Sequence, residues 1–136
     1  MVNLLDIKPN VVTRGVGDKH FAALFPDALI IATEIGYKQI PNVKAIDVDS
    51  WATFLQILYE LEKEEVKKTY KTIVIDTVGI LSDLCVQYIC SVNGVKSLDE
   101  MGYGKGWTAY KTHFTRAINK IAQLGYSIYS VQPKLI

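Results

Sequence analysis

The run Ile73-Val74-Ile75-Asp76-Thr77 drives an apolar strand straight into a carboxylate. In an α/β protein that arrangement delivers the acid to the C-terminal edge of the sheet, where it can hold Mg²⁺ against a bound phosphate. The same residues also serve with no metal at all. Asp and Thr are good helix N-caps, and a buried strand ending in Asp ahead of a helix is common. A second acid, Glu34, follows the apolar run Ala28-Leu29-Ile30-Ile31-Ala32. Tyr103-Gly104-Lys105-Gly106-Trp107 sets a lysine between two glycines before a helical pattern. Lys105 there can meet an anion or a partner, or simply stand in water.

Other chemistries find little support. His20 and His113 have no Cys or second His at ligand spacing, so no zinc site is expected. The serines form no G-x-S-x-G elbow, and no Cys/His catalytic arrangement is readable. Cys85 and Cys90 stand five apart in one helical pattern, on different faces, and are expected to be buried reduced thiols rather than a disulfide.

These residues need a scaffold, and 136 residues at 49% apolar and 21% charged suffice for one ordered domain. The net charge of +1 supplies no strong pull toward nucleic acid or an anionic membrane. No stretch approaches the ~20 apolar residues of a membrane span. Met1–Asp6 lacks the basic start and apolar run of a signal peptide, so a cytoplasmic location is expected.

The spacing predicts buried strands over 28–32 and 72–76, a weaker strand over 43–47 and a last strand over 126–131. Residues 1–27 are irregular in pattern, broken by Pro9, Gly15, Gly17 and Pro26, with a short helix over 19–25. Ser50 opens a helix to about Lys68, with Trp51, Phe54, Leu55, Leu58 and Leu61 as its inner stripe. Its second half is a solvated charge run in which Glu64 and Lys68 hold the i,i+4 spacing. A helix over 78–92 ends at Asn93-Gly94, with Leu81, Leu84, Cys85, Tyr88 and Ile89 inward. A loop over 97–106 precedes a third helix over 107–124, whose stripe runs from Trp107 through Tyr110, Phe114, Ala117, Ile118 and Ile121 to Leu124. Alternating strands and long crossovers imply an α/β fold in three layers. Its sheet is mainly parallel, with Thr72–Asp76 at the centre and helices on both faces. No linker divides the chain, so residues 1–136 form a single domain.

Several of these segments together resemble the phage-encoded RecA-like ATPases of the AAA-domain, P-loop superfamily, nucleotide-binding proteins of phage recombination gene clusters. The resemblance rests on Tyr70–Thr77 and on Tyr103-Gly104-Lys105-Gly106-Trp107, its most specific part, then on Leu124-Gly125-Tyr126 entering a strand. Phe25-Pro26, Thr33-Glu34 and Asp49-Ser50-Trp51 add to it, and it covers most of residues 25–131. It implies that Ile73–Asp76 is a Walker B strand and that Lys19, Glu34, Asp76 and Gln132 stand where such a protein keeps its nucleotide and metal groups.

The same resemblance exposes a lesion. Members carry G-x-x-x-x-G-K-[ST], whose backbone N–H groups cradle phosphates, and no such pattern occurs here. With Lys19 as the Walker A lysine, Thr13 and Asp18 stand where glycines belong and His20 where Ser or Thr would hold Mg²⁺. Asp18 would also set a like charge against the phosphates. Gly17 and Lys19 retain at most a small anion nest. After Ser127–Val131 come only Gln132-Pro133-Lys134-Leu135-Ile136, shorter than the resemblance implies.

Three functions follow from different classes. The first is a non-catalytic binder of a protein or protein–nucleic-acid complex, in concrete form an inhibitor of a CRISPR-type host defence, needing no cofactor. The second is an ATPase of phage DNA recombination that uses ATP and Mg²⁺; the third is an inert remnant. For the binder, the sheet's C-terminal edge offers Glu34, Tyr37, Lys38, Tyr103, Lys105 and Trp107, aromatic and charged types enriched at binding hot spots.

Overall fold

Thr72–Asp76 is buried at every position and forms an inner strand of a four-stranded sheet. The computed structural model describes residues 3–5, 10–13, 27–33, 38–41 and 44–131. In chain order the strands are β1 (Asn10–Thr13), β2 (Ala28–Ala32), β3 (Lys38–Pro41), β4 (Lys44–Asp47), β5 (Thr72–Asp76) and β6 (Ser127–Val131). The helices are α1 (Trp51–Leu61), α2 (Glu64–Thr69), α3 (Val78–Val92) and α4 (Lys105–Gln123), with a 3₁₀ turn at Leu98–Met101.

The main sheet runs β4-β2-β5-β6, and every neighbouring pair is parallel. Leu29, Ile31, Ile73 and Ile75 share one core cluster with Phe54, Ile57 and Leu61 of α1, Leu81, Cys85 and Ile89 of α3, and Ala117 and Ile121 of α4. The alternate residues Ile30 and Val74, on the opposite face, are only 4% and 0% exposed, so both faces of the sheet are covered. This is the three-layer α/β class that the sequence predicts.

Helix α1 ends sooner than its pattern. At about 100° per residue, Val66 would fall about 120° from the centre of the apolar stripe if the helix ran on. The chain instead turns at Glu62 and Lys63, the latter extended at φ −71° and ψ 136°, and restarts as α2 with Val66 buried. The ion pairs differ accordingly. Lys63 meets Glu60 at 2.5 Å, Lys67 meets Glu64 at 3.7 Å, and Lys120 of α4 meets Glu62 at 2.7 Å. On the inner stripe Ile57 is fully buried, whereas Leu55 is exposed.

Two tyrosine hydroxyls brace the layers. Tyr126 donates to the carbonyl of Leu61 at 2.7 Å, satisfying an end of α1 that has no helical partner, and Tyr70 donates to Leu4 at the same distance. Within the stretch whose sequence pattern is irregular, β1 pairs antiparallel with β3, Asn10 opposite Pro41 and Thr13 opposite Lys38. The short helix expected over 19–25 lies outside the described residues.

Candidate functional site

From β2 the chain passes to β4 on one side, and from β5 to β6 on the other. The order of the sheet therefore reverses between β2 and β5, and a doubly wound sheet keeps its crevice at the carboxyl ends of such a strand pair. Ala32 and Asp76 are paired there, which puts Thr33 beside Thr77.

A dense set of hydrogen bonds joins the two strand ends. Thr33 donates its backbone N–H to the carbonyl of Asp76 at 2.8 Å, and its hydroxyl to the same oxygen at 3.0 Å. That hydroxyl also accepts from the N–H of Thr77 at 2.8 Å. Thr77 in turn caps α3, its hydroxyl accepting from the N–H of Ile80 at 3.3 Å. Asp76 and Thr77 are 6% and 1% exposed. On the next strand Val48 donates to the carbonyl of Ala32 at 2.8 Å, and Ser50 caps α1 by accepting from the N–H of Thr53 at 3.2 Å. Two helix N-termini, α1 and α3, thus open onto the edge that carries Asp76.

Asp76 stands where the sequence places it, at the end of an inner strand, and Thr77 rather than Asp76 caps the helix. Thr33, which the sequence marks only as a matching neighbour of Glu34, is the hinge of the arrangement. Its sole sequence signal is a β-branched hydroxyl directly after a buried strand. Lys19, Glu34, Tyr37 and Gln132 lie outside the described residues. Lys38 is placed by its backbone only, at the end of the β1–β3 ladder.

The Tyr103–Trp107 motif belongs to the entry of α4. Gly102 and Gly104 take φ of 73° and 72°, which suit residues without a Cβ, and Tyr103 between them takes 51° with its ring wholly in solvent. A Cβ on Gly106 would stand 2.3 Å from the carbonyl oxygen of Leu98, so this glycine is demanded by close approach. The 3₁₀ turn is held by reciprocal capping between Ser97 and Glu100. Trp107 donates its indole N–H to Asp99 at 3.0 Å and is 48% exposed, so it does not begin the buried stripe. The helix starts two residues earlier than its pattern, at Lys105, which is exposed.

Helices α3 and α4 run parallel. Tyr110 shares a short hydrogen bond with Ser82, and three residues further along α4 His113 meets the ring of Tyr88. Ser82 lies in the second turn of α3, so the first turn of α4 reaches the level of the edge that carries Asp76. Tyr103, Lys105 and Trp107 are therefore at the end of the molecule where the sequence places them. They are connected to the strand ends through α3 and α4 rather than by direct contact shown among the described residues.

Burial pushes the Cys85 thiol up to about 11, and both cysteines are free and buried. Among the described residues, no group of three or more His, Cys, Asp or Glu is placed to hold a metal, and no helix is long and apolar enough to cross a membrane.

Comparison with known proteins gives this architecture a family. The chain is 29% identical over 103 residues to the SPbeta prophage-derived uncharacterized protein YorG of Bacillus subtilis (strain 168). The match covers 74% of this chain and 32% of that protein, so the chain spans about a third of its relative's length. The AAA domain family matches residues 13–133, nearly the whole chain and all six strands but the first residues of β1. By that match, the chain belongs to the AAA domain family.

Proposed function

We propose that this chain is a phage-derived AAA-type domain that no longer turns over nucleotide and acts by binding a protein or a protein–nucleic-acid complex. One contrast carries the reading. The core and the strand ends keep their packing and hydrogen bonds, while the sequence contains no G-x-x-x-x-G-K-[ST] loop to bring a phosphate to Asp76. A fold can outlive its chemistry, and in this reading it is kept for recognition. The binding surface in this reading is the α4 entry, where Tyr103, Lys105 and Trp107 present an exposed ring, a cation and a half-exposed indole. Tyr37 and Lys38 are further candidates for the same surface. An inhibitor of a CRISPR-type host defence is the concrete form of such a binder, resting on the phage origin of its relative.

The competing reading is a nucleotide-binding protein of phage DNA recombination, with Lys19, Glu34, Asp76 and Gln132 about ATP and Mg²⁺. Its support is the place of Asp76 at the sheet's switch point. Capture of partners from phage-infected host lysate, with the parent and a Tyr103→Ala/Lys105→Ala variant side by side, separates the two. A stoichiometric partner retained by the parent and lost by the variant supports the binder. Mg-ATP turnover by the purified chain, abolished by Asp76→Asn, overturns it.

A further inference from the structure

A net charge of +1 hides how unevenly the charges are placed. Helix α4 carries Lys105, Lys111, Arg116 and Lys120 and no acid. Helix α2 has the ordinary polarity, with Glu64 and Glu65 in its first turn and Lys67 and Lys68 in its last. Helix α4 instead begins on Lys105, and its first turn holds no acid. Lys63, Lys67 and Lys120 each meet a glutamate. Among the described residues, Lys105, Lys111 and Arg116 form no ion pair.

At about 100° per residue these three cations share one side of the helix with Thr108, Thr112 and Thr115, in a sector about 140° wide. All six are exposed, and between Lys105 and Arg116 no apolar residue falls in that sector. At 1.5 Å per residue the row is about 16 Å long. Its composition separates the classes of partner. A protein interface has an apolar core with charges at its rim, and this face has no such core. Cations interleaved with hydroxyls are the side chains that contact phosphate and sugar.

Two aromatic groups stand at the head of the row. The Tyr103 ring is wholly in solvent, and Trp107 is 48% exposed. Asp99 accepts from the Trp107 indole at 3.0 Å, and Tyr110 lies edge-on to that ring at 6.3 Å, so its plane is fixed. The neighbouring acid is engaged as well, since Glu100 accepts from the N–H groups of Lys96 and Ser97. Unpaired bases offer flat faces to such rings, whereas a duplex keeps its bases stacked on one another.

We propose that the outer face of α4 binds an unpaired nucleic-acid strand, with phosphates along Lys105, Lys111 and Arg116 and bases on Tyr103 and Trp107. This names a partner for the surface of the binder reading and rests on that reading. Backbone charge and ring stacking are both indifferent to base identity, so the contact is independent of sequence.

Fluorescence anisotropy of the full chain with labelled oligothymidylate and oligouridylate of about 15 nucleotides tests the contact. Binding of either supports the proposal, and the tighter of the two identifies the sugar. Three phosphate contacts predict an affinity that falls with salt at a logarithmic slope of about −2. Lys111→Gln/Arg116→Gln should reduce that slope to about −0.7 and weaken binding about tenfold or more at low salt. Tyr103→Ala should weaken binding about fivefold or more with the slope unchanged, and Tyr103→Phe should bind like the parent. All these positions are exposed, so each variant is expected to melt like the parent. No binding at low salt with the chain at about 10⁻⁴ M overturns the proposal. So does equal affinity for a duplex of the same length, or a double-glutamine variant that binds like the parent. Displacement of the strand by polyglutamate at equal charge would overturn it in favour of an acidic protein. None of these outcomes decides the binder reading, which ATP turnover overturns.

Discussion

Thr33 shows how much one hydroxyl can hold. It gives a hydrogen bond to the carbonyl of Asp76 and takes one from the N–H of Thr77, both across the gap between β2 and β5. Thr33→Val keeps the shape and strands the N–H of Thr77, itself 1% exposed, so the loss should be about 1–3 kcal/mol in urea unfolding. Thr33→Ser keeps the hydroxyl and should recover most of it; equal losses in the two variants would assign the effect to packing. Gly106 is a second such residue. Alanine there must displace the Leu98 backbone, and it should cost about 1–3 kcal/mol and loosen the 3₁₀ turn, read as faster amide exchange over 97–106. Both residues are visible in the sequence, but neither role is. A threonine after a strand and a glycine before a helix acquire meaning only when a distant backbone comes within reach.

The elements themselves were far more legible than their joints. The strands β2 and β5 and the helix α3 lie where the apolar runs put them, because a strand buried on both faces leaves an uninterrupted signal. The break between α1 and α2 was hidden, since every residue from Glu60 to Lys68 suits a helix and only the need to bury Val66 interrupts it. Likewise β1 and β3 have no pattern of their own, and each exists through the other. The core strand offers a severe test. Ile75→Asp sets an unpaired charge at a position 1% exposed and should leave the chain unfolded at room temperature by circular dichroism. A variant that melts like the parent would mean that β5 is not the inner strand. The tie between α1 and β6 offers a gentler one. Burial first, and Glu64 second, push the Tyr126 phenol up to about 12, above its ordinary 10.0. The folded state thus resists ionisation that the unfolded chain accepts. Its contribution is complete below pH 10 and is lost as pH rises toward 12. Tyr126→Phe should flatten the fall in melting temperature over that window; an unchanged alkaline slope would place the sensitivity elsewhere.

At the scale of the whole molecule, the question is whether a nucleotide has any hold on this fold. The place of Asp76 was legible as an apolar run ending in an acid, and the crevice beside it follows from the order of the strands. Strand order itself could not be read from sequence, because it depends on which crossovers pass over which neighbours. Phosphate binding in such a crevice needs backbone N–H groups from a glycine-rich loop, and no G-x-x-x-x-G-K-[ST] pattern is present to supply them. At the two helix N-termini, Ser50 and Thr77 each already accept from one first-turn amide. Binding energy for ATP should therefore be missing, and the deficit is measurable through stability. A ligand at a hundred times its Kd stabilises the folded state by ~2.7 kcal/mol, which for a domain of this size raises the melting temperature by several degrees. Millimolar Mg-ATP is expected to leave the melting temperature of the parent unchanged, and Lys19→Ala and Asp76→Asn are expected to alter no nucleotide-dependent property. A rise of several degrees that Lys19→Ala removes would show that the segment about Lys19 still gathers a phosphate. The chain would then be a nucleotide-responsive member of its family, and partner capture would have to be repeated with and without ATP.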